Sequence, residues 1–302
     1  MGYGGALIWT GLARNLKKTF PQKDVVFVYG KNVKDYLLLR TNPDLVIYDN
    51  NPDIAHVFSR LSWYFVCPFF KRKEVLVVDL TKKKYHYWTE DSKEKLAYRT
   101  DGHAITIACK PFALSDVSLE TVLIAKDKEV SKAEALMQTK GLKRKNFICI
   151  EPNAKKTFTA NKQWPPEYWE KLVHDLLVRL TPHYLIAQIG VAGSSVLPQV
   201  IDLTGTTTFR ELKPIIEKAA LVICNEGGVA HLAAGTKTKT IVIANPSLPL
   251  QLMAYPQHTT VAPKDGAHNC GLRAACPICQ ERLTSITPDE VLKEILAALD
   301  II

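Results

Sequence analysis

Two short segments carry side chains of the kind that grip phosphate. The first, Leu221 to Gly235, reads LVICNEGGVAHLAAG. An apolar strand runs into Asn225-Glu226-Gly227-Gly228, and a helix follows. Paired glycines let a backbone turn sharply and leave amide N–H groups uncovered. The helix start adds partial positive charge, so a diphosphate is the natural guest. His231 falls in the first turn, within reach of that guest. Glu226 is an odd neighbour for phosphate, and a carboxylate there suits ribose or sugar hydroxyls better. The same letters also fit an ordinary strand–helix turn whose histidine merely caps.

The second segment, Glu151 to Trp169, reads EPNAKKTFTANKQWPPEYW. A loop after a strand carries Lys155, Lys156, Thr157, Thr159 and Lys162. Trp164-Pro165-Pro166 then opens a helix, with proline where its missing N–H costs nothing. Ammonium and hydroxyl groups beside a helix start again suit phosphate, though solvated lysines on a polar loop give the same pattern.

Cysteines supply a third candidate. Cys270, Cys276 and Cys279 form a C-x5-C-x2-C cluster with His268 two residues ahead. Zinc takes four N or S ligands, and these four residues could supply them. The spacing matches no common finger, and plain loop packing or a fortuitous disulfide explains it as well, so the expectation is no metal. Cys67, Cys109, Cys149 and Cys224 lie in apolar runs and read as small buried hydrophobes.

The elements that position these groups alternate strand and helix. Strands are expected at Val25–Tyr29, Leu45–Tyr48 (after Asn42-Pro43), Val75–Val78 and Ile105–Cys109. A helix over Leu7–Thr19 places Leu7, Leu12, Leu16 and the stem of Arg14 at helical spacing, and Pro21 stops it. Asp127–Thr139 reads as a surface helix, and residues 140–143 as a linker. The second half repeats the rhythm, with strands at Phe147–Ile150, Leu185–Ile189, Val200–Leu203, Leu221–Cys224 and Ile241–Ala244. Its helices are Pro165–Leu180, Thr208–Ala220 (capping box Thr208/Glu211), Val229–Ala234 and Pro288–Leu299. Near-continuous apolar strands such as FICI and LVIC belong to buried parallel sheets. Two α/β domains with parallel sheets follow, divided as 1–140 and 141–302. In such folds ligands sit outside the carboxyl ends of strands.

Composition sets the outer limits. The chain has 302 residues, 47% hydrophobic and 23% charged, which excludes disordered, collagen-like and coiled-coil classes. No run approaches the roughly 20 apolar residues of a membrane span. MGYGGALIW lacks a basic n-region, so no signal peptide is expected. A net charge of +9 favours anionic partners. Solvated loop ends explain the runs at 71–73, 82–84 and 143–145, and an anionic membrane surface is the other use for them. No nucleic-acid-binding motif is present, so nucleic acid is not an expected partner.

Read in order, Lys162-Gln163-Trp164-Pro165-Pro166-Glu167, Asp202–Leu212 (DLTGTTTFREL), Asn225–Ala234 (NEGGVAHLAA) and the late cysteine loop resemble the heptosyltransferase-like glycosyltransferases, family 9. The tail Cys270-Gly271 … Cys276-Pro277-Ile278-Cys279 … Ile286–Val291 looks like a divergent branch with a Glu-Gly-Gly turn. Gly4–Pro21 is similar to the family's opening. There the family's aspartate, its presumed catalytic base, falls on Gly5, and only Met1-Gly2-Tyr3 stands where the family's first strand would be, through a misassigned or truncated start or a strand that this copy lacks.

The resemblance implies a GT-B fold, two Rossmann-like parallel-sheet domains facing a central cleft. The N-terminal domain would bind acceptor and the C-terminal domain the nucleotide-sugar donor, with the terminal helix free to pack back on the first domain. It implies inverting transfer of a hexosyl or heptosyl group from a nucleotide-diphosphate sugar to a cell-envelope glycan or lipopolysaccharide-type glycolipid. No cofactor or metal is required. Lys162 would neutralise the diphosphate and Thr157 or Thr159 hydrogen-bond it. The Gly227, Gly228 and Val229 amides would cradle it beside His231. Glu226 would stand where the family usually has Asp, on the donor sugar or ribose. With Gly5 unable to act as base, Asp101, His103 and Glu226 are the candidates, and a relative that binds a nucleotide sugar without transferring it is the alternative. A basic polyanion-binding protein is the more distant rival. The expected location is the cytoplasm, with peripheral contact at the inner face of the membrane as a use for the basic excess.

Overall fold

Unbroken runs of branched apolar residues build two parallel sheets. The computed structural model describes residues 3–29, 56–59, 64–68, 74–154 and 160–301. In the first sheet β1 (Asp24–Tyr29) pairs in parallel with β2 (His56–Ser59) on one side and β3 (Val75–Asp79) on the other. The second contains β6 (Phe147–Glu151), β7 (Leu185–Gln188), β8 (Ile201–Asp202), β9 (Leu221–Asn225), β10 (Lys239–Ile243) and β11 (Thr259–Val261). Its order is β11-β10-β9-β6-β7-β8, parallel throughout. The chain winds outward from β6 through β7 to β8, then returns to β9 on the other side of β6. That reversal opens a crevice outside the carboxyl ends of β6 and β9. Both loops singled out above leave from this point, since Glu151 stands opposite Cys224.

One face of the six-stranded sheet is covered by α4 (Pro166–Leu180) and the terminal α9 (Pro288–Ala298) around Trp164, Trp169, Leu172, Leu176 and Ile295. Helix α9 packs on α4, β10 and β11 and thus stays with the second sheet. Its apolar stripe, Val291, Leu292 and Ile295, is buried there. The opposite face carries α5 (Phe209–Lys218) and α6 (Gly228–Ala233), and its core runs unbroken into α1 (Tyr3–Thr19) and β1.

Helix α1 buries Ala6, Leu7, Ile8, Trp9, Leu12, Ala13 and Leu16, far more than one stripe. Its position between β1, α2 (Ala104–Cys109) and α6 explains this, because a helix apolar nearly all round belongs inside. It is the first described element, and no described strand precedes it. Helix α3 (Asp127–Thr139) packs on α5 of the second half. The fully buried Arg210 of the DLTGTTTFREL motif meets Glu129 at 2.8 Å, and Lys132 meets Glu211 at 3.0 Å. The capping box Thr208/Glu211 is present as read.

Ile105–Cys109 is a helix, α2, and not a strand. His103 caps it, its Nδ1 accepting from the Ile105 amide at 3.2 Å. A five-residue apolar run does not separate a buried strand from a buried helical turn, and packing on α1 decided it. The antiparallel hairpin of β4 (Trp88–Glu90) and β5 (Leu96–Tyr98) had no counterpart in the reading above. The Leu45–Tyr48 strand lies outside the described residues. Of the cysteines read as core, Cys109, Cys149 and Cys224 are buried and Cys67 is only half-buried.

Candidate active site

Strand β9 ends in Asn225, whose buried amide holds the two phosphate-type loops together. Its Nδ2 donates to the Pro152 carbonyl at 3.0 Å, and its Oδ1 accepts from the Trp164 amide at 3.4 Å. Gln163 adds a second tie, donating to Pro152 O at 2.7 Å and accepting from the Ala154 amide at 2.8 Å. The segment is thereby folded back over the end of β6. Lys162 arrives beside the glycine corner, with its Nζ 3.8 Å from where a Gly227 Cβ would stand. Thr157 and Thr159, with Lys155 and Lys156, lie outside the described residues.

The corner itself differs from the expectation in one respect. Gly227 is extended, at φ 167°, and Gly228 already belongs to α6. Neither occupies the left-handed region, so the turn does not demand glycine. With no side chain on Gly227, the Lys162 ammonium stands at contact distance from the Cβ position it leaves vacant.

Glu226 follows directly. Its Oε1 is 3.7 Å from His231 Nε2, and its Oε2 accepts from Asn245 Nδ2 at 3.3 Å. His231 is buried, and its Nδ1 pairs with the Tyr255 hydroxyl at 2.7 Å. The hydroxyl can donate to Nδ1 or accept from it, and where it donates the ring proton is on Nε2, facing Glu226. Burial, reinforced by Lys162, pushes the His231 imidazole down to about 3, so it is neutral at pH 7. Glu151, at the end of β6, is pushed up to about 8 by burial; Lys162 draws it down and Glu226 drives it up. Among the described residues the crevice therefore holds the Lys162 ammonium and the carboxyl groups of Glu151 and Glu226, with Glu151 mostly protonated at neutral pH. Burial and then Glu226 also raise the Tyr87 and Tyr98 hydroxyls, which the β4–β5 hairpin brings to the same field.

Helix α1 closes the site from the other half. A Cβ on Gly4 would lie 2.5 Å from His231 Cδ2, so only glycine lets the helix start touch that ring. Thr121 Oγ1 donates to the His231 carbonyl at 2.6 Å, a second tie between the halves.

The remaining base candidates separate. His103 joins the cluster from behind, its ring 4.6 Å from that of Tyr255. It is buried, its Nε2 makes no hydrogen bond, and burial together with His231 and His258 holds it near 3. Asp101 is exposed and bonded to Arg99 and Lys110, each at 2.6 Å, and these hydrogen bonds hold its carboxyl well below the usual range. The three cysteine sulfurs lie within 4.8 Å of one another, but His268 is not among them. Its amide, with that of Asn269, is turned to the Pro246 carbonyl. Sequence reasoning missed Glu151, Asn245 and Tyr255. A carboxylate closing an apolar strand is the one local signal that pointed to any of them.

A doubly wound parallel sheet with a lysine at its switch point is the architecture of nucleotide-binding α/β proteins. The chain belongs to glycosyltransferase family 9 (heptosyltransferase), whose model matches residues 80–278. It is therefore a glycosyltransferase that uses a nucleotide-sugar donor, and its two-sheet architecture is GT-B. Among solved structures it is similar to the glycosyl transferase family 9 protein from Veillonella parvula DSM 2008, with 14% identity, a TM-score of 0.70, and 99% of this chain and 95% of that one covered. It is also similar to E. coli ADP-heptose lps heptosyltransferase II (16%, TM-score 0.59, 98% and 96% covered). A third is the iron-containing dodecameric glycosyltransferase TibC from enterotoxigenic E. coli H10407 (15%, TM-score 0.57, 91% and 76% covered). No curated protein matches the chain by sequence. No described helix is long and apolar enough to cross a membrane.

Proposed function

We propose that this enzyme transfers a hexosyl or heptosyl group, with inversion and without a catalytic metal, to a lipopolysaccharide-type acceptor. Residues 141–302 hold the donor and residues 1–140 the acceptor, with α3 docked on the donor half. The E. coli relative is named for ADP-heptose and lps, and an ADP-type donor is the first choice here. The observation that carries the proposal is the approach of Lys162 to the Gly227 corner at the switch point. An ammonium and aligned amides in one crevice stabilise charge that develops on a departing diphosphate, the task a divalent ion performs elsewhere.

In the reaction the acceptor hydroxyl oxygen attacks the anomeric carbon from the face opposite the diphosphate. The bond from that carbon to the diphosphate oxygen breaks, its electron pair leaves with the nucleotide, and the hydroxyl proton passes to a base. We assign the base to Glu226. It lies against His231, the ring that the start of α1 touches, and that helix start is where Gly5 replaces the family aspartate. His231, neutral and held by Tyr255, lies beside the carboxylate at 3.7 Å, and Asn245 donates to its other oxygen. Asp101 suits the role poorly, because two cations already hold its charge. His103 keeps the back of the cluster packed. The basic excess holds the enzyme against an anionic membrane surface where a glycolipid acceptor resides.

Purified enzyme assayed with a panel of nucleotide-diphosphate sugars and a lipopolysaccharide-core acceptor tests this. Transfer with inverted anomeric configuration in the presence of chelator is expected. Glu226→Gln is expected to lower kcat by about 10²–10⁴, the usual worth of a general base, with donor binding retained. Asp101→Asn is expected to keep its activity. Nucleotide-sugar binding without turnover under every acceptor would overturn the transferase reading in favour of a binding protein.

A further inference from the structure

The cysteine cluster plays no part in the chemistry above, yet one ten-residue stretch of loop and helix brings its three sulfurs together. Cys276 is the N-cap of α8 (Pro277–Thr284), and Cys279 lies three residues on, on the same helical face. Cys270 comes from the preceding loop. Cys276 and Cys279 are buried and Cys270 is half-buried. The three sulfurs lie within 4.8 Å of one another, with Cys270 and Cys279 at 3.3 Å. Thiolates around a tetrahedral ion, at metal–sulfur distances of about 2.3 Å, stand about 3.8 Å apart. Three sulfurs within 4.8 Å of one another bracket that spacing, and with two of the cysteines buried they are a ligand set for a thiophilic ion. Oxygen-seeking ions such as magnesium and calcium are not served by it.

The loop that carries these cysteines touches three parts of the molecule. Asn161, fully buried, donates to the carbonyls of Leu272 and Ala274 at 2.9 and 2.8 Å and accepts from the Cys276 amide at 2.7 Å. The Ala160 amide donates to Arg273 O at 3.1 Å. Toward the hairpin, the Leu96 amide donates to Gly271 O and the Arg273 amide to Glu94 O, both at 2.9 Å. Gly271, at φ +67°, permits this, since a Cβ there would sit 1.9 Å from Leu96 O. The Gly271 amide donates to Ser247 O, and Ser247 in turn donates to Asn245, the partner of Glu226. One loop thus meets the residue before Lys162, the hairpin that carries Tyr98, and the segment behind Glu226.

We infer that Cys270, Cys276 and Cys279 bind one zinc or iron ion that has a structural role, clamping the loop that joins the Lys162 segment to the β4–β5 hairpin. Three thiolates fill three positions of a tetrahedron, and water completes the fourth. Binding displaces the thiol protons. The ion lies apart from the reacting atoms, so it does not conflict with metal-independent transfer. Its effect on the donor pocket rests on the reading above; its presence does not.

The test uses the whole protein, made without a polyhistidine tag and purified without chelator. Elemental analysis is expected to find about one zinc or iron per chain, and to say which. Protein stripped of metal and reloaded with Co²⁺ is expected to show the thiolate charge-transfer and d–d absorption of a tetrahedral sulfur site. Stripping is expected to speed amide exchange at Ala160, Leu96 and Arg273 by about tenfold or more, as local opening becomes easier. Cys276→Ser and Cys279→Ser lose the metal and Cys67→Ser keeps it. Wild-type protein with less than about a tenth of an equivalent of metal and no cobalt spectrum overturns the inference, whether or not the serine variants fold. A Cys270–Cys279 disulfide in the freshly purified protein also overturns it. A metal-loaded protein that fails to bind any nucleotide sugar would instead sink the donor reading alone.

Discussion

Replacing Lys162 by methionine removes the ammonium and keeps most of the stem. Lys162 Nζ is 3.8 Å from the Gly227 Cβ position. A hydrogen bond to a charged group contributes about 1.5–3 kcal/mol, so nucleoside diphosphate should bind about 10- to 150-fold more weakly. The free nucleoside, which lacks phosphate, should bind as before. Thermal denaturation reads this directly. At a ligand concentration 100 times the wild-type Kd, bound nucleotide stabilises the native enzyme by about 2.7 kcal/mol. After a 100-fold loss of affinity the same concentration gives about 0.4 kcal/mol, and most of the shift in Tm disappears. The electrostatics give a second signature. Lys162 draws the Glu151 carboxyl down from where burial would leave it, so in the variant Glu151 stays protonated beyond about pH 8. An unchanged diphosphate-induced shift in a folded Lys162→Met protein would refute the pyrophosphate site and the mechanism built on it.

Glu151 sets an alkaline limit. Its pKa rises from 4.5 unfolded to about 8 folded, so the folded state holds the extra proton and its stability declines as pH climbs from 4.5 to 8, then levels off. Diphosphate affinity should weaken as pH passes about 8, where Glu151 becomes an anion, and Glu151→Gln should flatten both profiles in denaturation and calorimetric titrations. Two buried histidines and a half-buried one set the acid limit. His103 and His231 are held near 3 and His258 near 4, each against 6.5 unfolded. Below pH 6.5 the unfolded chain gains protons that the native one refuses, so stability is lost toward pH 4 at up to about 4 kcal/mol per pH unit; a flat denaturant midpoint from pH 6.5 to 4.5 would contradict this. Gly4→Ala reverses a familiar sign. Alanine in a helix usually stabilises by about 0.5–1 kcal/mol, but here its Cβ meets His231 at 2.5 Å, and overpacking of about 1–3 kcal/mol should lower Tm.

Much of the donor half was legible locally. FICI and LVIC are apolar without interruption because β6 and β9 are covered on both faces. Thr208 and Glu211 signal a helix start because a cap is made within four residues. The order of motifs was enough to identify the family and to nominate Lys162, Glu226, Gly227 and His231. The segment Ile105–Cys109 shows the limit of such reasoning. Its five residues are apolar in either conformation, and the neighbour that chooses between them, α1, is about ninety positions away.

The primary structure by itself determined the alternation of strands and helices, the apolar faces, the caps, and which short segments could hold phosphate. These follow from interactions between residues a few positions apart. Tertiary structure alone decided that Asn225 brings Lys162 to the glycine corner, that the Tyr255 hydroxyl meets His231 Nδ1, and that Glu151 stands half-buried beside Lys162 and Glu226. Each of those outcomes depends on contacts or burial fixed by chain closure over long distances. Side-chain chemistry makes such contacts possible, and the path of the backbone selects among them.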